Sequence, residues 1–280
     1  MTILITGANG TIGSALVQDL KARGVAFETM SSRLGESSRQ GDFADVQSLK
    51  QAFAGIDTLF VLLPLVPHKL ALAGNVAQAA KAAGVKHIVR SSGAGADASS
   101  AFALPRLQGQ IDDVLRATGI PTTFLQPAGF MQNYATFQAQ QVLAGEIAAP
   151  HGEAKKSMVD ARDVAAVAAE ILLDPIKHAG KSYVLTSEDS LSEAESAAIL
   201  AKVLGRPVRY QATTLDATVA GMKQWGLPGE IIELMSSLHQ IVAAGYAAGT
   251  TKDVELLLGR KPISFVQFAR DYAKTWSNAA

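Results

Sequence analysis

The chain has 280 residues, with 25 basic and 25 acidic side chains, 48% hydrophobic residues and no cysteine. This composition can bury a sizeable core and differs from that of a disordered chain. The zero net charge disfavours a nucleic-acid-binding protein, and the lack of cysteine excludes disulfides, thiolate metal sites and cysteine nucleophiles. The sequence shows neither a signal peptide nor an apolar run of the roughly 20 residues that cross a bilayer, so we expect a cytoplasmic globular protein.

The first part of the chain alternates between short apolar runs and segments with helical spacing. Buried strands that alternate with helices are typical of a parallel sheet covered by helices on both faces. The segment between residues 33 and 42 is short, so the third strand of such a fold is expected to be stunted or missing. The predicted strands cover residues 2–6, 26–30, 58–63, 86–91 and 122–126, and the predicted helices cover residues 12–23, 46–53, 70–83 and 110–117.

The pattern changes after Pro127. It predicts a helix at residues 161–173, short strands at residues 182–185 and 208–211, and mostly helices from residue 191 onward. We therefore expect an α/β fold, a Rossmann-type doubly wound parallel sheet with a smaller, mostly helical C-terminal lobe. The expected NAD(P)-binding Rossmann domain comprises residues 1–130 and 155–186, and the expected substrate-binding lobe comprises residues 131–154 and 187–280.

A glycine-rich loop directly after the first predicted strand carries the strongest chemical signal. Gly7, Gly10 and Gly13 form the pattern GxxGxxG. The first glycine permits a tight turn, the second lets the backbone approach a pyrophosphate, and the third lets the helix pack close to the strand. The N–H groups at the start of the helix would then face the phosphates. The expected cofactor contacts in this loop are Gly7, Asn9, Gly10, Thr11, Ile12 and Gly13.

The end of the second predicted strand indicates which dinucleotide binds. An NAD-specific site usually has an acidic residue there, whereas this chain has Ser31, Ser32 and Arg33, and Glu28 comes too early in the strand. Arg33 can pair with a 2′-phosphate, and this favours NADP(H) over NAD(H) as the cofactor. The alternative is that Arg33 is an ordinary solvated loop arginine.

Three further strand ends are expected to line the cofactor, because ligands of open α/β sheets bind outside the carboxyl ends of the strands. Asp42 can hydrogen-bond near the adenine or merely cap the following helix, and Phe43 comes directly after it. The other expected contacts on these strand ends are Leu62, Leu63, Pro64, Ser91 and Ser92.

Motifs along nearly the whole chain resemble the NmrA-like family of atypical short-chain dehydrogenase/reductases. They are TGANGTIGS at residues 6–14, GDF at 41–43, HIVRSSGAGAD at 87–97, GIPTTFLQPAGFMQN at 119–133, VDARDVAAVAAEIL at 159–172 and LLGRKPISFVQF at 257–268. The resemblance implies an NAD(P)H-dependent reductase of the quinone or dye reductase type, with the substrate held between the Rossmann domain and the C-terminal lobe. It also implies that Pro127 and Phe130 pass over the nicotinamide and that Asn133 belongs to the substrate pocket.

The usual proton donor of short-chain dehydrogenases is missing from this sequence. Those enzymes use Tyr-x-x-x-Lys, and none of the five tyrosines here has a lysine four residues on. Some relatives keep a lysine or histidine where this chain has Gln108, which can donate hydrogen bonds but is not an acid at neutral pH. Gln108 and Asn133 are therefore expected to polarise a quinone-like or other conjugated acceptor, whose reduced form is a weak base that water can protonate.

Two other functions stay open. One is an NADP(H)-sensing regulatory protein of the same family without turnover, and the other is a sugar-nucleotide epimerase, which the lack of Tyr-x-x-x-Lys disfavours. His239 falls in a predicted helix of the lobe and is kept as a candidate substrate contact, whereas the other histidines are expected to be solvated or packed, with no metal site. The expected partner is a small-molecule acceptor, with no nucleic acid and no membrane, and the apolar lobe would permit a homodimer.

Overall fold

A computed structural model describes residues 1–33, 35 and 37–277 of the chain. The chain divides into two compact units. Unit 1 comprises Met1–Ala101, Pro105–Gln126 and Val164–Val184, and unit 2 comprises Phe102–Leu104, Pro127–Asp163 and the chain from Leu185 onward. Across the described ranges, no helix combines the length and the apolar character that crossing a membrane requires.

Twelve strands are described, and seven of them form one sheet. They are β1 (Ile3–Thr6), β2 (Glu28–Ser31), β3 (Arg39–Gln40), β4 (Thr58–Val61), β5 (His87–Ser91), β6 (Thr122–Pro127), β7 (Gly129–Phe130), β8 (Glu146–Ala149), β9 (Lys156–Val159), β10 (Ser182–Leu185), β11 (Ser190–Leu191) and β12 (Arg209–Ala212). The order in the large sheet is β10-β6-β5-β4-β1-β2-β3, and every pairing from β6 to β3 is parallel. The order reverses at β1, which confirms the predicted doubly wound Rossmann-type sheet.

The helices lie between the strands and after them. They are α1 (Thr11–Ala22), α2 (Val46–Phe53), α3 (Lys69–Ala83), α4 (Ala103–Arg116), α5 (Ala139–Ala144), α6 (Ala161–Leu173), α7 (Pro175–His178), α8 (Glu193–Leu204), α9 (Leu215–Gln224), α10 (Gly229–Ala243), α11 (Asp253–Leu258) and α12 (Phe265–Asp271), with 3-10 helices at Met131–Ala135 and Ala273–Trp276.

Unit 1 is organised around the strands β1, β4 and β5, whose residues are all buried. Leu59 of β4 and Ile88 of β5 pack in one core with Leu49 of α2, Val76 of α3 and Ile111 of α4. Strands that are covered on both faces consist almost entirely of apolar residues, and this is why the sequence shows runs rather than alternation.

In unit 1 the prediction for the third strand is confirmed, whereas the prediction for the start of α4 is wrong. The third strand is stunted as expected, because β3 contains two residues and pairs with the end of β2. The helix predicted at residues 110–117 is too short, since α4 begins at Ala103. Proline normally opposes helix formation. Pro105 nevertheless fits here, because it lies in the first turn of α4, where a missing N–H group costs no intrahelical bond. Glycine also disfavours a helix, but Gly109 packs against the backbone of residues 97–98, where a side chain would clash.

Unit 2 contains two small sheets together with most of the later helices. In one sheet β9 pairs with β7 in parallel and with β11 in antiparallel orientation, and in the other β8 pairs with β12 in parallel. Its core is rich in aromatic residues, and Tyr134, Phe265, Phe268 and Trp276 are fully buried there. The indole of Trp276 donates a hydrogen bond to the Tyr134 carbonyl at 2.9 Å, which ties the end of the described chain to this core.

Replacing Gly109 by alanine is expected to destabilise the protein, because the added Cβ would lie 2.1 Å from the Ala98 nitrogen and 2.3 Å from the Asp97 carbonyl carbon. The clash is with backbone, so we expect a loss of about 1–3 kcal/mol in the free energy of unfolding. The matched control is Gly74→Ala in α3, where the added Cβ meets nothing within 4 Å. The control should stabilise by about 0.5–1 kcal/mol. Urea unfolding measures both, and an unchanged stability for the Gly109 variant would contradict this packing.

Candidate functional site

The glycine loop after β1 leaves no room for side chains. Gly7 has a φ of 68°, a conformation that favours glycine. The Gly10 amide donates to the Gly7 carbonyl at 3.0 Å and closes the turn. A Cβ on Gly13 would lie 2.0 Å from the same carbonyl oxygen, so α1 starts directly against the loop. The close approach that the GxxGxxG spacing predicts is therefore present.

The start of α1 is open. Gly10 occupies the N-cap position, and no side chain of the described residues caps this helix. Because the first N–H groups of a helix lack intrahelical acceptors, those of Thr11 and Ile12 are left to solvent or to a ligand. Asn9 and Thr11 are exposed beside them. A glycine cradle at an uncapped helix start fits the pyrophosphate of a dinucleotide.

The end of β4 lies beside this loop. The Thr6 hydroxyl accepts a hydrogen bond from the Leu62 amide at 3.0 Å, across the neighbouring strands β1 and β4. A Cβ on Gly7 would lie 3.1 Å from Leu62 Cδ2, so Leu62 forms one wall of the loop. Leu63 turns into the core, whereas Pro64 is exposed. Of these three predicted contacts, Leu62 thus lies directly against the loop.

Ser31 ends β2, and Ser32 and Arg33 follow it on the surface. The Arg33 amide donates to the Ser31 hydroxyl at 3.1 Å and tightens the turn. The acid of this strand is engaged elsewhere, because Glu28 Oε1 accepts from Arg39 Nη2 of β3 at 2.8 Å. This hydrogen bond lowers the pKa of Glu28. The Glu28 carboxylate is therefore paired within the sheet.

Asp42 and Phe43 follow β3. The Asp42 carboxylate accepts from the Ala44 amide at 2.9 Å, while Asp45 is the residue that caps α2. The alternative that Asp42 caps the helix is therefore wrong, because its carboxylate closes the preceding turn. Phe43 packs partly against the core of unit 1, and its carbonyl accepts from Asn75 Nδ2 at 2.8 Å.

A buried ion pair lies at the end of β5. Arg90 and Asp112 are each 1% exposed and are joined through Nη1 and Oδ1. Arg90 Nη2 also donates to Gln108 Oε1 at 2.6 Å, and the Ser92 hydroxyl donates to Asp112 Oδ2 at 2.9 Å. The ion pair thereby brings two predicted site residues, Ser92 and Gln108, into one network. Ser91 is buried next to them at the strand end.

This network fixes the orientation of the Gln108 amide. An arginine can only donate hydrogen bonds, so the atom of Gln108 that faces Arg90 must be the oxygen. The remaining polar group of the side chain is the NH2 group, which is a donor. Burial lowers the pKa of Arg90, yet an arginine stays protonated at neutral pH. Gln108 is therefore held as a hydrogen-bond donor.

Three buried charged residues of this region are not among the predicted site residues, namely Arg90, Asp112 and Lys69. Lys69 begins α3 and is 7% exposed, and burial together with the charge of Arg90 lowers its pKa to about 8. A signal for the pair was present, since Arg90 interrupts an apolar strand and Asp112 stands on the apolar side of a helix. Charges are almost never buried unless they are paired, so two such positions indicate a pair.

The remaining predicted site residues lie in unit 2. Pro127 ends β6, and Phe130 pairs with Val159 in the parallel pairing of β7 and β9. Asn133 is half-buried in the 3-10 helix, and its carbonyl accepts from the Gln138 amide at 2.9 Å. Of the two predicted catalytic residues, Gln108 thus belongs to unit 1 and Asn133 to unit 2.

Removing one partner of the buried pair is expected to be costly. Asp112→Ala leaves the Arg90 charge buried without its carboxylate, and we expect a loss of about 3–5 kcal/mol in the free energy of unfolding. The adjacent Asp113 offers the control, since it pairs with Arg116 on the surface, where the two side chains are 61% and 50% exposed. Asp113→Ala should cost less than about 1 kcal/mol. Equal, small losses in urea unfolding for both variants would show that the Arg90–Asp112 pair does not support the fold.

Comparisons with known proteins identify the family. A model of the NmrA-like family matches residues 1–256. The NAD(P)H azoreductase of Xenophilus azovorans is 35% identical over 286 residues, which cover 99% of this chain and 100% of that protein. The triphenylmethane reductase of Citrobacter sp., solved in complex with NADP(H), is 26% identical with a TM-score of 0.83, covering 98% of this chain and 100% of that one.

The NADPH-dependent quinone oxidoreductase of Escherichia coli, solved with NADPH, is also 26% identical. Its TM-score is 0.85, and the match covers 96% of this chain and 99% of that one. These relatives match along nearly the full length of both chains. The chain therefore belongs to the NmrA-like family, and it is an enzyme of the reductase class.

Proposed function

We propose that this protein is an NADPH-dependent reductase whose acceptor is a quinone or another conjugated small molecule, such as an azo compound or a dye. The observation that carries the proposal is the glycine cradle at the uncapped start of α1, located where the strand order of the sheet reverses. The names of the relatives support it, since they include an azoreductase, a triphenylmethane reductase and a quinone oxidoreductase. When bound, the reduced nicotinamide supplies the hydride.

The residues after β1 and β2 are proposed to hold the cofactor. Backbone N–H groups of Thr11 and Ile12 would bind the pyrophosphate, and Arg33 with Ser32 would bind the 2′-phosphate of NADPH. The preference for NADP(H) is supported by the engagement of Glu28 with Arg39, because a carboxylate paired within the sheet is not available to the ribose hydroxyls of NAD. Loop residues Leu62 and Ser92 would line the cofactor farther along the strand ends.

Gln108 is proposed to polarise the acceptor. Its NH2 group is held as a donor by Arg90, so it can stabilise negative charge that develops on an acceptor oxygen or nitrogen. Because the ion pair fixes the side chain before the reaction, little reorganisation is needed when the charge appears. Asn133 is proposed as the second amide of the site, and Phe130 as an apolar contact of the acceptor. A homodimer, a cytoplasmic location and the absence of nucleic-acid and membrane partners stay predictions from the sequence.

The cofactor preference can be tested with Arg33→Ala. Losing a charge-assisted hydrogen bond to the 2′-phosphate should weaken NADPH binding by about 10-fold or more, because such bonds contribute roughly 1.5–3 kcal/mol. NADH binding should be unchanged, since NADH lacks this phosphate. The control variant is Arg209→Ala, which removes an exposed arginine from β12 in unit 2. Fluorescence titration measures both affinities, and an equal loss for NADPH and NADH would contradict the role of Arg33.

The role of Gln108 can be tested with Gln108→Leu, which keeps the approximate volume and removes the donor. We expect kcat with a quinone to fall by about 10²-fold, the usual effect of removing one preorganised donor. Gln51→Leu, on an exposed position of α2, should leave kcat unchanged. Loss of absorbance of the reduced nicotinamide is followed with a panel of quinones, azo compounds and dyes. NADPH binding by the parent protein without oxidation by any acceptor of the panel would refute the proposed reductase.

A further inference from the structure

A lysine is buried at the start of α3 in unit 1. Lys69 is the first residue of this 15-residue helix and is 7% exposed. Among the residues that the structure describes, none accepts a hydrogen bond from the Lys69 ammonium group or forms an ion pair with it. Lysine is almost never buried unless it is paired. Lys69 is therefore a buried cation that the described part of unit 1 does not pair.

The charge that acts on Lys69 is that of another cation. Burial and then the positive charge of Arg90 lower the pKa of the Lys69 ammonium group to about 8, so the group is still mostly protonated at pH 7. Asp112 does not offset both cations, because its Oδ1 accepts from Arg90 and its Oδ2 accepts from the Ser92 hydroxyl. Two cations and one carboxylate leave this buried cluster with a surplus of positive charge.

A donor of Arg90 is also unpaired. Nε of Arg90 is buried, and within the described residues no atom accepts a hydrogen bond from it. The other guanidinium nitrogens donate to Asp112 and to Gln108. Leaving a buried donor without an acceptor costs about 1–3 kcal/mol, and more for a charged group. The cluster thus lacks acceptors as well as negative charge.

The start of α3 adds backbone donors at the same place. The N-cap residue, His68, has a φ of 60°, and its side chain makes no capping hydrogen bond. The first N–H groups of a helix, here those of Lys69 and Leu70, lack intrahelical acceptors and carry the positive end of the helix dipole. Because Cα–Cβ bonds tilt towards the N-terminus of a helix, the side chain of Lys69 extends over this end.

The position of α3 in the sheet also suits a ligand. The helix follows β4, so its start lies on the carboxyl edge of the parallel sheet. Ligands of open α/β sheets bind outside this edge. Lys69, Arg90 and the start of α3 all belong to unit 1, and we call them the α3 cation cluster.

A lysine of unit 2 shows how a buried ammonium group is balanced within the protein. Lys156 is 16% exposed and donates to the carboxylate of Glu193, which also lies 3.0 Å from Nδ1 of His151. Nε2 of His151 lies 2.9 Å from Nδ1 of His239. The carboxylate of Glu193 thereby balances the charge of Lys156 inside the same unit. Lys69 has no such carboxylate among the described residues, so its charge is open to a ligand.

We propose that the α3 cation cluster binds an oxyanion, that is, a carboxylate, sulfonate or phosphate group. The oxyanion accepts hydrogen bonds from the Lys69 ammonium group and from the backbone N–H groups at the start of α3, and its charge offsets the surplus of the cluster. This site is separate from the glycine loop, to which the cofactor pyrophosphate is assigned. The oxyanion is either a free inorganic anion or a substituent of the acceptor, and in the second case the proposal rests on the proposed reductase function.

Sulfate is the probe that tests the site itself. The protein is saturated with NADP+, so that the glycine loop is occupied, and its Tm is followed while sodium sulfate replaces sodium chloride at constant ionic strength. In Lys69→Met, the apparent Kd for sulfate should rise by about 10-fold or more, because charge-assisted hydrogen bonds are lost. Lys69→Gln should behave in the same way, so the test does not depend on the folding of one variant.

Lys81→Met is the matched control, since Lys81 is an exposed lysine in the last turn of the same helix. It should respond to sulfate as the parent does, and it thereby accounts for the general stabilisation that sulfate gives to folded proteins. An identical response of the parent and both Lys69 variants would overturn the proposal. Weaker NADPH binding by the Lys69 variants would also overturn it, because Lys69 would then hold the cofactor.

Two quinones distinguish the sources of the oxyanion. Naphthoquinone and naphthoquinone sulfonate are compared as acceptors of the parent and of Lys69→Met. A KM that rises by about 10-fold for the sulfonate alone assigns the oxyanion to the acceptor. An unchanged KM for both quinones, together with a lost response to sulfate, assigns it to a free inorganic anion. A parent protein that oxidises NADPH with neither quinone would refute the proposed reductase, while the sulfate measurement still decides on the α3 cation cluster.

Discussion

The ion pair between Arg90 and Asp112 is the interaction on which the arrangement of unit 1 depends. Both side chains are buried, and an unpaired charge in that position would cost several kcal/mol. Neither residue can therefore move away from the other, and β5 is fixed to α4. Because the pair also holds Ser92 and Gln108, the cost of burying two charges is linked to the geometry of the candidate site. Because buried ion pairs add little net stability, we infer that the Arg90–Asp112 pair serves mainly to position Ser92 and Gln108.

The two buried polar networks differ in the chemistry that they permit. In unit 1 the central cation is an arginine, which does not exchange its proton at neutral pH and can only hold Gln108 in place. In unit 2 the Glu193 carboxylate accepts hydrogen bonds from the Tyr134 hydroxyl and the Lys156 ammonium group, and it lies 3.0 Å from Nδ1 of His151. The network of unit 1 therefore suits the polarisation of an acceptor, because it holds a hydrogen-bond donor in one orientation.

Much of the fold was predictable because its signals are local. Buried parallel strands appear as apolar runs, so β1, β4 and β5 were found, as was α6 with its full length. The glycine loop was recognised because a tight turn and a close helix restrict the residue type at three positions. The start of α4 was missed, because Pro105 and Gly109 normally oppose helix formation. Here Pro105 falls in the first turn, and the backbone of residues 97–98 requires a residue without a side chain at position 109.

The sequence alone determined the class of fold, the glycine loop and the absence of a Tyr-x-x-x-Lys pair. These follow from hydrophobic periodicity, from backbone preferences and from spacing, all of which act over a few residues. Only the tertiary structure showed which buried charges meet. Arg90 and Asp112 are 22 residues apart, Glu193 and His151 are 42 apart, and His151 and His239 are 88 apart. Contacts at such separations depend on how distant elements pack, so a local pattern can mark a buried charge but does not give the geometry in which it meets its partner.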